Sequence, residues 1–338
     1  MTLGRINPGR DTARLAAQRA AYIASVWAGA GGVLPASQPD TITPNWGGHG
    51  LAWVSRVDRL ISTTYYGFTD ELRLFHPPVA PATSAPILIY LGGHDGNLSD
   101  QSNPNMVNIK YFVDAGLRVL GGSMPLLDPN PTSVLVTIGA ESTTLSATGV
   151  GSTNHDAFTW ITDRSGVLLP IFLDGKFRAI NYLQATYPAA PIHICGISGG
   201  GWGTSMVAAL DGRVQNSYDV AGSLPFAMRV GADVGDYEQR SHLSYYRGTD
   251  TTFEDVYLWR TIGGRRAVNV YNLYDAVAFS ANGREASFRG IADTIGDRIG
   301  PGGVGEFEVI IDETYNTPPG QHAMSPDIKD QIIEEVSA

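Results

Sequence analysis

Residues 191–203 read Pro191-Ile192-His193-Ile194-Cys195-Gly196-Ile197-Ser198-Gly199-Gly200-Gly201-Trp202-Gly203. An apolar run of strand length stops at a serine set among glycines, and a helical pattern runs on from Trp202 to Leu210. Glycine weakens a regular element, so a cluster of it marks backbone positions that tolerate little else. Gly196-Ile197-Ser198-Gly199-Gly200 has the form G-x-S-x-G. Between a strand and a helix, that form is a tight, strained turn that lifts a serine hydroxyl clear of a sheet. The amide of Gly199, at the helix N-terminus, then faces the place where a tetrahedral oxyanion forms. A dinucleotide-binding turn needs G-x-G-x-x-G, whereas Gly196, Ser198 and Gly201 supply glycine, serine, glycine. A phosphate loop fails as well, because no Gly-Lys-Ser/Thr follows.

Outward from this turn the chain alternates strand and helix, the rhythm of an α/β fold. Ile87 to Leu91 is a continuously apolar run that reads as a strand covered on both faces, and it ends at Gly92-Gly93-His94-Asp95-Gly96. Met106 to Ala115 reads as a helix, and Leu117 to Leu120 as a strand stopped by Gly121-Gly122. Gly166 to Tyr187 reads as a long helix and Ser217 to Gly222 as a strand. The last strands are Ala267 to Leu273 and Glu306 to Ile311, before a terminal helix from Asp327 to Val336. Upstream, Thr12 to Trp27 has helical apolar spacing, and Ala28 to Gly50 is a Gly/Pro-rich connection. Leu51 to Ser62 and Glu71 to Phe75 read as strands with Thr69-Asp70 in the turn between them. Pro125 to Arg164 and Ala227 to Gly263 lose periodicity and read as insertions forming a partial cap. The expected organisation is an N-terminal helix and extension over 1–50 and a catalytic domain over 51–338, with insertions near 125–164 and 227–263.

Bulk properties agree with a folded chain: 338 residues, 43% hydrophobic and 17% charged. A net charge of −10 repels phosphate backbones, so nucleic acid is not an expected partner. One cysteine, Cys195, excludes an internal disulfide and a multi-thiolate metal cluster. No apolar run reaches membrane-spanning length, and the N-terminus lacks the shape of a signal peptide. The cytoplasm is slightly favoured on these grounds, with secretion the alternative if a leader has been removed.

A serine hydroxyl needs a base, and there are seven histidines. His193 lies inside the strand before the serine and points into packing. His49 and His76 precede the core strands and read as loop or surface residues. His155 is a weak candidate in the first insertion, within Asn154-His155-Asp156. His242 lies in the second insertion. His322 is the strong candidate, on the loop Asp312 to Ser325 after the last strand. A carboxylate that orients the imidazole completes the set. Asp275 follows the penultimate strand in the right chain order. Its separation from His322 requires an excursion looped out between them. Asp293 and Asp297 are the alternatives, with Asp312 and Glu313 behind them. The second oxyanion donor is expected on the Gly92–Gly96 loop, from the amide of His94 or Asp95. Trp202, His242, Tyr245 and Tyr246 are candidates for contact with substrate. No metal is expected: H-E-x-x-H and calcium-loop patterns are missing, and His94-Asp95 alone is not a ligand set.

The glycine loop, the elbow, Asp275 and His322, in that order, make the chain resemble the α/β-hydrolase superfamily from about Leu51 to the C-terminus. The resemblance implies a mostly parallel central sheet flanked by helices, with the site at the strand ends. It implies acyl transfer to Ser198, with His322 as base and then acid and Asp275 as the orienting carboxylate, and no organic cofactor. A small-molecule or polymeric carboxylic ester is the leading substrate, an acylated sugar or a polyester among the options. A serine peptidase or amidase and a non-catalytic binding protein are the alternatives.

Overall fold

Ile87–Leu91 forms a strand with both faces covered. Ile87, Ile89 and Leu91 enter one core cluster, and Leu88 and Tyr90 enter another on the opposite face. This strand is the middle of the fold. The computed structural model describes residues 12–147, 155–164, 166–229, 236–299, 305–318 and 320–338. In chain order its elements are α1 (Thr12–Val26), β1 (Thr41–Thr43), β2 (Arg56–Thr63), β3 (Thr69–His76), β4 (Ile87–Leu91), α2 (Pro104–Asp114) and β5 (Arg118–Gly122). Next come β6 (Ser133–Ile138), β7 (Glu141–Ser146), α3 (Thr159–Thr162), α4 (Leu169–Thr186), β8 (Ile192–Ile197), α5 (Gly199–Leu210) and β9 (Val214–Val220). The remainder are α6 (Tyr237–Arg240), α7 (Leu243–Gly248), α8 (Phe253–Trp259), β10 (Arg265–Asn272), α9 (Glu285–Ile299), β11 (Gly305–Asp312) and α10 (Pro326–Ser337).

Among the described residues nine strands form one sheet, in the order β1-β2-β3-β5-β4-β8-β9-β10-β11. β1, β2 and β3 pair antiparallel, and β3 is antiparallel to β5. From β5 to β11 every pairing is parallel. Helices cover both faces. Met106, Ile109, Phe112 and Val113 of α2 share one cluster with Ile328, Ile332 and Val336 of α10. α1, α4, α5, α8 and α9 contribute to the other cluster.

The topology determines where a ligand sits. The chain leaves β4 for β5 on one side, and β8 then pairs with β4 on the other. In an open α/β sheet the crevice lies beyond the carboxyl ends of the strands at such a reversal. The strand ends are in step there: Leu91 pairs with Gly196, Ile197 with Val220, and Asn272 with Asp312.

Several sequence expectations are corrected. Thr69 and Asp70 belong to β3, and the reversal is the turn at Tyr65–Gly67, where Tyr66 takes a left-handed φ of 58°. β2 begins at Arg56 rather than Leu51, and β5 continues through Gly121-Gly122. α5 starts at Gly199, three residues ahead of the helical pattern. The excursion between Asp275 and His322 is largely a helical crossover, α9, between two parallel strands. The segment 125–164 holds the β6–β7 hairpin, a second, two-stranded sheet. Within 227–263, α8 is buried along its whole length and belongs to the core instead of a cap. Residues 148–154, with Asn154, and 230–235 lie outside the described residues. Leu15, Tyr22 and Val26 of α1 sit in the same cluster as the sheet, so α1 packs as part of the main body. Among the described residues no helix is long and apolar enough to cross a membrane.

Candidate active site

β8 delivers Ser198 to the strand ends. Its backbone has φ 57° and ψ −130°, a conformation that L-residues adopt only when their surroundings force it. The surroundings are explicit. Ser198 N donates to Val220 O of the neighbouring strand at 2.9 Å, and Ser198 O accepts from Trp202 N at 3.1 Å inside the first turn of α5. A Cβ at residue 196 would run into the carbonyl of Gly200, and one at residue 200 into the carbonyl of Leu91. The glycines two before and two after the serine are therefore steric requirements of the turn. The result is a hydroxyl at the N-terminus of a 12-residue helix, beside amides that have no partner within the helix.

His322 and Asp275 meet beside it. His322 Nδ1 lies 2.9 Å from both carboxylate oxygens of Asp275. The carboxylate also accepts from the amides of Val277 and Ala278, each at 2.8 Å, and from Asn272 Nδ2 at 2.9 Å. Burial works against the charge of Asp275. Its hydrogen bond to His322 and its backbone donors outweigh that and hold its pKa below the ordinary carboxylate value. Asn272 Nδ2 also donates to Gln321 O at 3.1 Å, which ties the loop carrying His322 to the end of β10. With Asp275 on Nδ1, His322 Nε2 is left without a hydrogen-bond partner. Ser198 and His322 line the same cleft of about 400 Å³, together with Asp95, Asn105, Asn108 and Lys329.

Among the described residues none of the alternative carboxylates bonds to His322. Asp293 is exposed on α9, and the side chain of Asp297 lies outside the described residues. Asp312 ends β11 and accepts from the Thr314 amide at 2.9 Å, while Glu313 is exposed.

The loop after β4 comes close to the serine. A Cβ on Gly93 would sit 2.8 Å from Ser198 Cβ and 3.3 Å from its Oγ, so only glycine lets this backbone lie against the hydroxyl. Asp95 lines the cleft, with Oδ1 accepting from Asn105 Nδ2 at 3.1 Å and its carbonyl from Asn103 Nδ2 at 2.9 Å. The His94 side chain turns away from the cleft to a separate group. His94 Nε2 is 3.0 Å from His155 Nδ1 and 3.3 Å from Glu238 Oε1. The imidazole also lies against α5, since a Cβ on Gly199 would be 2.8 Å from His94 Cε1. Burial opposes charge on His94, but Glu238 and Asp236 outweigh it and hold the His94 pKa above its ordinary value. Burial likewise opposes charge on Glu238, and His155 and His94 hold its pKa below the usual range.

The side chains of the remaining sequence candidates do not line the serine's cleft. Trp202 is buried in the core, edge-on to Phe172 at 5.8 Å. His242, Tyr245 and Tyr246 gather around Tyr22 of α1, with ring centroids 5.2, 5.0 and 5.9 Å from it, and none of them lines the serine's cleft. His76 is not a surface residue: it is buried at the end of β3 with Nε2 2.8 Å from Asp58 Oδ2. His49 accepts from the Leu51 amide at 3.1 Å. His193 is buried in β8, and neither of its ring nitrogens has a partner.

Sequence reasoning missed Gly93, Asn105 and Glu238. Gly93 was visible only as one glycine of a loop. Glu238 comes to His94 through tertiary packing of segments far apart in the chain, which no spacing rule encodes.

Neither a protein-family model nor a curated protein sequence matches the chain. Solved structures do. Acetyl xylan esterase 1 from Thermoanaerobacterium sp. JW/SL YS485 superposes with a TM-score of 0.55 at 14% identity, over 99% of this chain and 96% of that one. A cold-adapted esterase from an Arctic intertidal metagenomic library gives 0.50 at 13% identity, over 86% and 97%. TT1662 from Thermus thermophilus gives 0.50 at 15% identity, over 82% and 96%. At such identities the likeness speaks to architecture, and with the parallel sheet, its flanking helices and the turn at Ser198 it establishes that this chain has the α/β-hydrolase fold.

Proposed function

We propose that the protein is a carboxylic ester hydrolase that works through an acyl-enzyme on Ser198. The observation that carries this reading is the pairing of a strained, cleft-facing serine with a histidine whose Nδ1 is held by Asp275 and whose Nε2 is unpartnered. His322 Nε2 takes the proton from Ser198 Oγ as that oxygen bonds to the ester carbonyl carbon. The carbonyl electrons move to the oxygen, and the amide of Gly199 with one from the Gly93–Asp95 loop stabilises the oxyanion. The oxyanion collapses, the C–O bond to the alcohol breaks, and His322 gives its proton to the departing alkoxide. Water then repeats the sequence on the acyl-enzyme. Asp275 keeps the proton on Nδ1 and stabilises the imidazolium. The esterases among the structural neighbours support this choice of chemistry only at the level of fold. Asn105, Asn108 and Lys329 on the cleft wall favour a polar ester over a long aliphatic one.

The test is intact-mass labelling with a fluorophosphonate and turnover of matched short-chain ester and amide substrates. Wild type is expected to label once, at Ser198, and to cleave esters in preference to amides. Ser198→Ala is expected to lose label and at least about a thousandfold in kcat. Folded wild-type protein that neither labels nor cleaves any ester of the panel would remove the proposal.

A further inference from the structure

A second cluster, next to the serine's cleft but not part of it, is built from three segments: His94 after β4, His155 in the insertion after β7, and Glu238 on α6. Their ligand-type atoms all lie within 4.8 Å of one another. The inner distances are tighter. His94 Nε2 to His155 Nδ1 is 3.0 Å, His155 Nδ1 to Glu238 Oε2 is 3.0 Å, and His94 Nε2 to Glu238 Oε1 is 3.3 Å.

The outer nitrogen of each imidazole faces an acceptor. His155 Nε2 lies 3.3 Å from Pro125 O, and His94 Nδ1 lies 3.4 Å from Asp236 Oδ2. A neutral imidazole has one N–H and one lone pair, so protons placed outward leave lone pairs on both inner nitrogens. These then face each other and a carboxylate with no donor between them. His155 and Glu238 have fully buried side chains, and Glu238 Oε1 has no hydrogen-bond partner. Three buried or half-buried acceptors converging on one point are satisfied by a cation at that point. A carbonyl or carboxylate behind each imidazole is the outer arrangement that ligating histidines use to fix their tautomer. Zinc bonds to imidazole nitrogen and carboxylate oxygen at about 2.0–2.2 Å, which separates tetrahedral ligand atoms by about 3.3 Å. Two of the inner distances, at 3.0 Å, fall a little short of that spacing, and the two imidazoles face different oxygens of Glu238, so the group opens slightly to take an ion.

We infer that His94, His155 and Glu238 form a binding site for one divalent transition-metal ion, with zinc the favoured occupant and a water molecule as fourth ligand. Two imidazoles with one carboxylate favour a borderline ion such as zinc over calcium or magnesium, which prefer oxygen. The ion would fasten the insertion and α6 to the loop after β4, and so hold His94 against the first residue of α5. It is a clamp on the loop beside Ser198, and it stands whether or not Ser198 is the nucleophile.

The experiment uses the full chain, stripped with a chelator and titrated with zinc alone, followed by calorimetry and metal analysis. One zinc per chain is expected, with a thermal midpoint that rises with zinc concentration. Glu238→Gln and His155→Gln are expected to lose affinity at least about a hundredfold, beyond what losing an outer partner costs. His49→Ala is expected to bind as wild type does. X-ray absorption of zinc-loaded wild type needs no variant to fold, and two imidazole ligands are expected in it. Wild type that binds zinc no more tightly than Glu238→Gln, or bound zinc without imidazole scattering, would overturn the site.

Discussion

Asp275 shows how one residue's environment sets its chemistry. Its charge survives burial only because His322 and two backbone amides stabilise it. Asp275→Asn keeps the shape but puts an amide where Nδ1–H needs a carboxylate, so the imidazole takes the wrong tautomer. The expected loss in kcat is about 10⁴, the scale seen when a triad carboxylate is amidated; full activity in the variant would take Asp275 out of the site. The pH effect has a definite sign. The folded pKa lies below the ordinary 3.8, so the pair's contribution to stability is present above that value and is lost as pH falls below it. Gly93→Ala tests the proposed second oxyanion element in a different way. The new methyl would press on Ser198 Cβ at 2.8 Å and Oγ at 3.3 Å. Fluorophosphonate labelling is expected to slow by at least about tenfold, well ahead of any fall in stability. Unchanged labelling would mean that this backbone does not shape the serine's surroundings.

At the scale of elements, α5 carries a sharp contrast. Gly→Ala in a helix ordinarily stabilises by about 1 kcal/mol. Gly203→Ala is expected to follow that rule within error, because its Cβ meets only the flexible tip of Leu91 Cδ1, at 3.2 Å. Gly200→Ala is expected to reverse it and cost about 3 kcal/mol or more, because its Cβ would strike the Leu91 carbonyl, which β4 holds in place. Chemical denaturation of the two variants side by side decides the matter, and equal effects would refute the steric account of the elbow. The same element shows what the sequence made legible. The elbow was readable because its physics is local: a strand, a strained residue and glycines within five positions. β4 was readable because a strand covered on both faces must be apolar throughout. α9 was not recognised, although Phe288, Ile291 and Ile295 mark one buried face, because Gly290 and Gly296 interrupt its helical signal. The three-residue displacement at the start of α5 has the same cause, since Gly199-Gly200-Gly201 are helical by tertiary demand and against their propensity. The Asp275–His322 pair was placed by chain order, whereas the His94–His155–Glu238 cluster depends on packing between distant segments.

The body of the molecule is a mostly parallel sheet sealed on both faces, and that sealing makes its stability sensitive to acid. His193 lies in β8 beside β4, 5% exposed, with neither ring nitrogen partnered. Burial pushes its pKa down from 6.5 to about 4, and burial does the same to His242. The unfolded chain therefore takes up protons between pH 6.5 and 4 that the folded chain refuses. Stability is complete above 6.5 and falls as the pH drops toward 4, the sign expected when the unfolded state binds more protons. A shift of that size corresponds to something on the order of 3 kcal/mol for His193, at about 1.4 kcal/mol per pKa unit, and to less for the partly exposed His242. His193→Leu removes the titrating group and keeps an apolar side chain in the strand. Its packing cost appears equally at every pH, so the readout is the change in stability across the range and not its absolute value. Urea denaturation at the two ends of that range is expected to show a markedly smaller acid loss in the variant than in wild type. If the acid loss is the same in both, the sensitivity comes from other groups, and His193 is not a determinant of acid stability in this fold.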